Sequence, residues 1–175
     1  MIKNVILTLT ITSTLFVSGC GSKEVKPHEK VSIQKGQVAP KITIGSNLEL
    51  SLNDQFDKPH AIKKDTKKVI FVFTKATGHL VKSYFNEKPT DFLEKNHIQF
   101  VADVSPMPKV ILNYIAIKDL KKHKYPILLI RDETISPNFK NTSNAEAIMM
   151  VNLDKLKVTN VKFVSNINDF KNEIE

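Results

Sequence analysis

VIFVFTKATGHLVKSYF, residues 69–85, decides the fold. Val69–Phe73 is apolar without alternation, which predicts a central strand buried on both faces. The run stops at Thr74, and Lys75-Ala76-Thr77-Gly78 reads as a short polar turn. His79 then opens an amphipathic helix, with Leu80, Val81, Tyr84 and Phe85 on one stripe. A strand-to-helix turn of this kind is a natural place for binding or chemistry, because the N–H groups at a helix start have no partner within the helix.

On the amino-terminal side, Leu48-Glu49-Leu50-Ser51-Leu52 alternates apolar and polar, the pattern of a half-buried strand. The turn-rich Asn53–Pro59 follows, and His60-Ala61-Ile62 returns as the second arm of a hairpin. On the carboxyl side, Pro89-Thr90-Asp91 restarts a helical turn through Phe92 and Leu93. Ile98–Val104 is the next strand. Pro106-Met107-Pro108 opens a longer helix, for which Val110, Ile111, Tyr114, Ile115 and Ile117 form the expected apolar face. PILLIR, Pro126–Arg131, is a strand, and Ser136–Ala145 is a polar loop. Two further strands, Ala147–Leu153 and Lys157–Val164, form a hairpin around Asp154-Lys155. A terminal helix carries Ile167, Phe170 and Ile174 at i, i+3, i+7. After the first hairpin the order is therefore β-α-β-α-β-β-α. Strands joined through helices pair in parallel, and the last hairpin adds antiparallel strands, so the expectation is a mixed α/β sheet with helices on both faces.

The chain has 175 residues, a formal net charge of +8 and an ordinary globular composition. Its basic residues are dispersed, without the stripe and interleaved aromatics of a nucleic-acid binder, so no nucleic-acid partner is expected. Met1-Ile2-Lys3-Asn4 is a short basic start, and Val5–Val17 is an uncharged run too short to span a bilayer. Val17-Ser18-Gly19-Cys20 follows, and Cys20 is the only cysteine in the chain. These four residues resemble a bacterial lipobox. The resemblance implies a signal peptide over 1–19, cleavage before Cys20, and diacylglycerol and palmitate-type acylation there. The protein would then be exported and membrane-anchored at the periplasmic face or cell surface, in the outer membrane of a Gram-negative cell, where Gly21 permits that sorting. Residues 20–37, rich in Lys, Glu, Pro and Gly, read as a flexible tether, and residues 38–175 as the domain.

The element order, with Tyr125-Pro126 opening the third core strand, resembles the thioredoxin-like fold. The first hairpin is similar to the extension found in peroxiredoxins and membrane-anchored thioredoxin-like proteins. The resemblance makes Pro126 a candidate cis proline facing the active-site turn; the alternative is a trans proline at a strand's first position. In that family the strand-to-helix turn carries C-x-x-C or a single reactive Cys. Here the turn is Thr74-Lys75-Ala76-Thr77-Gly78-His79, with no sulfur. Disulfide exchange needs a thiolate, and the domain has none to offer once Cys20 is acylated.

Other chemistries find little support. His60, His79, His97 and His123 lack any metal-ligand spacing, and no G-x-S-x-G turn or Gly-rich phosphate loop occurs, so no metal or cofactor is expected. His79 is a candidate general base or ligand, or an ordinary exposed histidine at a helix start. Asp103-Val104-Ser105-Pro106 ends a parallel strand, where α/β sheets bind ligands; alternatively Asp103 or Ser105 caps the next helix. The expected binding edge thus comprises Thr74, Lys75, Thr77, His79, Asp103, Ser105, Tyr125 and Pro126. A lipid-anchored, redox-inactive domain binding an envelope protein partner or a small ligand is the leading expectation. An enzyme using His79 as acid/base, or an accessory component of an envelope thiol system, is the alternative.

Overall fold

The computed structural model describes residues 42–140 and 145–175; the lipobox, Cys20 and the tether lie outside them. Five strands form one mixed sheet in the order β5-β4-β3-β6-β7. β3 (Lys68–Val72) is central. β4 (Ile98–Asp103) pairs parallel to it and β5 (Leu128–Ile130) parallel to β4. β6 (Ile148–Asp154) runs antiparallel on the other side of β3, followed by β7 (Lys157–Val164). β1 (Ser51–Asn53) and β2 (Pro59–Ala61) form the expected hairpin as a separate two-stranded sheet. Lys155 and Leu156 both have positive φ, as the tight turn between β6 and β7 requires.

The unbroken apolar run is explained by the two cores that the sheet separates. Ile70 and Val72 of β3 face one, Val69, Phe71 and Phe73 the other. The first core is capped by α1 (Lys75–Asn86), α2 (Phe92–Lys95), the helix after β4, and α5 (Ile167–Ile174). That helix after β4 comprises α3 (Lys109–Ile111), a π-helical segment (Leu112–Ala116) and α4 (Ile117–Leu120) in continuous succession. Tyr84, Phe85, Phe92 and Phe170 interlock at its centre, with ring centroids 5.3 Å apart for Tyr84 and Phe170. The second core is covered by the β1–β2 hairpin and a 3₁₀ turn at Ser136–Asn138, whose flanks Ile135 and Phe139 are buried. Helical segments thus lie on both faces but unequally. The steps β3→β4 and β4→β5 cross the sheet in the same direction, so crossovers of the usual hand place both connecting helices on one face.

The helix after β4 corrects one expectation. Its buried residues are Leu112 and Leu120, with Ala116 and Ile117 packed against the core. Val110, Ile111, Tyr114 and Ile115, the expected buried face, stand in solvent. The segment carries apolar residues on nearly opposite sides, and periodicity alone does not say which side meets the sheet. Among the described residues no helix is long and apolar enough to cross a membrane.

Candidate functional site

The turn after β3 is tighter than its composition predicts. Helix α1 begins at Lys75, not His79, and Thr74 is its N-cap. Thr77 donates its backbone N–H to Thr74 Oγ1 at 3.3 Å and its hydroxyl to the Thr74 carbonyl at 3.2 Å, while the two hydroxyls lie 2.9 Å apart. Thr74 thereby satisfies one of the N–H groups that a helix start leaves open, that of Thr77. Lys75-Ala76-Thr77-Gly78 is therefore helix, and His79 sits in the second turn. Thr74 and Thr77 stand at the spacing of a C-x-x-C pair, with hydroxyls in place of thiols.

Above this turn lies a groove of about 800 Å³ at the edge where β3 and β4 end. Val72, Phe73 and Val104 belong to its floor region; Thr74, Lys75, Gly78 and His79 line one side; Met107, Pro108, Ile111, Tyr114 and Ile115 line the other. Topology explains the groove. α1 follows the end of β3 and the 109–120 helix follows the end of β4, and the groove lies between them. Its lining is mainly apolar, with lysines at the rim.

Among the expected site residues, the structure gathers Thr74, Lys75, His79 and Asp103 around this groove. Their roles differ. Lys75 and His79 are exposed, and the His79 imidazole makes no hydrogen bond among the described residues, so nothing there orients it as a base. Thr77 is buried in the cap. Asp103 is buried and fully engaged: Oδ1 accepts from the Ser105 N–H at 3.0 Å and hydroxyl at 2.7 Å, and Oδ2 from the Ser136 hydroxyl at 2.5 Å. Neither Asp103 nor Ser105 caps the next helix, whose N-cap is Pro108. Their network braces the loop against the 3₁₀ turn instead.

Tyr125 and Pro126 lie elsewhere. β5 runs parallel to β4, with Val101 opposite Leu128, so the residues before β5 sit at the edge where β4 begins. This is the far end of the sheet from Thr74. The Tyr125–Pro126 bond is trans, since no cis peptide occurs among the described residues. The candidate cis proline facing the turn is thus corrected on both counts. The strand that enters the sheet beside the turn is β6, because antiparallel pairing places Ile148 next to the end of β3. Pro126 is exposed, but the backbone around it is closed. Gln55, fully buried, donates its amide to the Tyr125 carbonyl at 2.9 Å and accepts the Ile127 N–H at 2.8 Å.

The Tyr125 phenol donates to the Lys82 carbonyl at 3.2 Å, and burial pushes its pKa above the ordinary value, keeping it protonated. His123 contacts the Asn86 side-chain oxygen at 2.7 Å; burial, assisted by the Lys82 charge, lowers its pKa and favours the neutral ring. His79 and Tyr125 share only an outer cleft of about 530 Å³ between α1 and residues 119–125, and Pro126 lines neither it nor the groove. Among the described residues no three His, Cys, Asp or Glu side chains gather as a metal site would.

Gln55 and Ser136 were invisible as organising residues in the sequence. Each acts on a segment far along the chain, and a lone Gln in a turn-rich stretch carries no signal of that. The exposed apolar stripe had a signal, its double-sided hydrophobicity.

No protein-family description matches the chain, and no curated relative matches it. Solved structures do. A candidate thioredoxin from Neisseria meningitidis superposes with a TM-score of 0.52 at 13% identity, covering 75% of this chain and 89% of that one. A candidate thiol:disulfide interchange protein, DsbE, from Chlorobium tepidum gives 0.51 at 11% identity, over 76% and 94%. The peroxidoxin BcpB from Mycobacterium tuberculosis gives 0.50 at 13% identity, over 76% and 94%. At such identities the likeness speaks for backbone architecture alone, and on that ground the chain has the thioredoxin-like fold.

Proposed function

We propose that this chain is a lipid-anchored cell-envelope protein whose thioredoxin-like domain binds a protein partner or small ligand in the groove over Thr74–His79 and Asp103–Pro108, without thiol chemistry. One observation carries the reading. At the turn after β3 the groove is open with Thr74 on its wall, and that turn holds a Thr74–Thr77 hydroxyl pair, Thr77 buried beneath, and no cysteine. An open apolar groove with a few polar groups suits binding, and thiol exchange has no sulfur to use there. The structural neighbours named as thioredoxin and thiol:disulfide interchange protein make an accessory role in an envelope thiol system the second reading.

Photo-crosslinking in the native envelope tests the groove. A photoreactive residue in place of Lys75 or Met107 is expected to give an adduct of defined mass, lost when Gly78→Leu fills the groove. Adducts that persist with the groove filled, or that form equally from a probe at Phe56, overturn it. Intact mass of the membrane-extracted protein tests the anchor: a chain beginning at an acylated Cys20 is expected, and an unmodified Cys20 overturns that part.

A further inference from the structure

Val110, Ile111, Tyr114 and Ile115 are 67%, 44%, 67% and 61% exposed, and they adjoin one another on one side of a single helix. Exposed apolar residues scattered singly need no explanation, but a contiguous stripe marks a surface that is covered in use. Cations surround this one. Lys109 and Lys118 lie on the same helix, Lys121 just past its end, and Lys75 across the groove; none of the four forms an ion pair among the described residues. The acidic group nearby, Asp119, is already shared by Lys82 and Lys122 at 3.3 and 3.2 Å. Asp103 is buried and consumed by the two serines.

We propose that this stripe is a membrane-contact face that lays the 109–120 helix into the headgroup region of an anionic bilayer. Aliphatic side chains and a tyrosine between lysines are the composition of an interfacial helix: the apolar residues enter the acyl boundary, the tyrosine sits at headgroup depth, and the lysines meet lipid phosphates. Charge complementarity selects this occupant, since the rim offers unpaired cations and no available carboxylate. Chain length allows it. Ile42 leaves the domain on the opposite face of the sheet, packed with the second core. The segment from Cys20 to Ile42 can extend up to roughly 75 Å, ample to reach round a domain of this size. The contact goes beyond the proposed function and requires no acyl chain at Cys20. It would bring the groove mouth, which Ile111, Tyr114 and Ile115 also line, to the membrane surface.

The chain contains no tryptophan, so Tyr114→Trp gives a single reporter at an exposed position that should fold normally. The full chain carrying it is reconstituted into phosphatidylcholine vesicles, with or without phosphatidylglycerol, and read by emission wavelength and quenching from brominated acyl chains. Blue-shifted, quenched emission in the anionic vesicles is expected, weakening roughly fivefold for each of Lys109→Ala, Lys118→Ala and Lys121→Ala and fading at high salt. Phe56→Trp, on the hairpin that covers the other face of the sheet, is expected to stay in water. Water-like emission from the Tyr114→Trp chain in both lipids overturns the proposal, as it would if a protein covered the stripe instead. Equal quenching of the two probes, or indifference to the lysine substitutions, overturns it as well. The groove crosslink is read separately, so either idea can fail alone.

Discussion

At the edge of the sheet where β4 begins, the segment entering β5 is closed: Gln55 occupies the backbone groups on both sides of Pro126, and the Tyr125 phenol is donated to α1. At the edge where β3 and β4 end, Thr74 pairs with Thr77 within one turn and Asp103 is held by Ser105 beside it and Ser136 from the distant 3₁₀ segment, yet the helices stand apart over an open apolar groove. The two ends differ in what covers their apolar atoms. A long-range clamp stabilises the fold at one end. At the other, a local Thr74–Thr77 cap and the Asp103–Ser136 brace hold their own segments, and the surface between the helices is left as open apolar area.

Substitutions can break this contrast, and the closed edge should respond most. Gln55→Ala strands a buried carbonyl and a buried N–H and leaves a cavity. A loss of about 3–5 kcal/mol in urea unfolding is expected, and a loss under about 1 kcal/mol would mean that water replaces the clamp. Asp103→Ala, at the open edge, removes the acceptor of Ser105 and Ser136 and should cost about 1–3 kcal/mol. Its damage should be local, with faster amide exchange around Ser105 and Ser136 while the β5 entry stays protected. Gly78→Ala sharpens the comparison in the opposite sense. A methyl there would meet Val72 at 3.8 Å, an ordinary contact, so the helix should gain roughly 0.5–1 kcal/mol. Stabilisation with weaker groove crosslinking would show that Gly78 serves the groove and not the fold.

Much of this molecule was readable in its residues. The unbroken Val69–Phe73 run predicted a strand between two cores, because an apolar side chain at every position needs cover on both faces. Alternation at Leu48–Leu52 and the Asp154-Lys155 turn gave two hairpins. The missing thiol at the turn was legible as well, since sulfur chemistry depends on residue identity alone. The helix start slipped by four residues because Lys75-Ala76-Thr77-Gly78 looks like a turn until Thr74 and Thr77 are seen to cap each other.

What the sequence could not supply was decided between segments distant along the chain. Tyr125 and Pro126 were placed at the wrong edge because a strand's order does not reveal its partner, and only the pairing of Val101 with Leu128 fixes where β5 begins. The buried side of the 109–120 helix depended on which of two apolar faces the sheet accepted. Gln55 became a clamp only because the hairpin carries it to a backbone some seventy residues later. Local propensity and side-chain chemistry are properties of short stretches, and the sequence by itself determined them. Pairing, facing and enclosure are properties of contacts between stretches, which come into being only when the chain is folded.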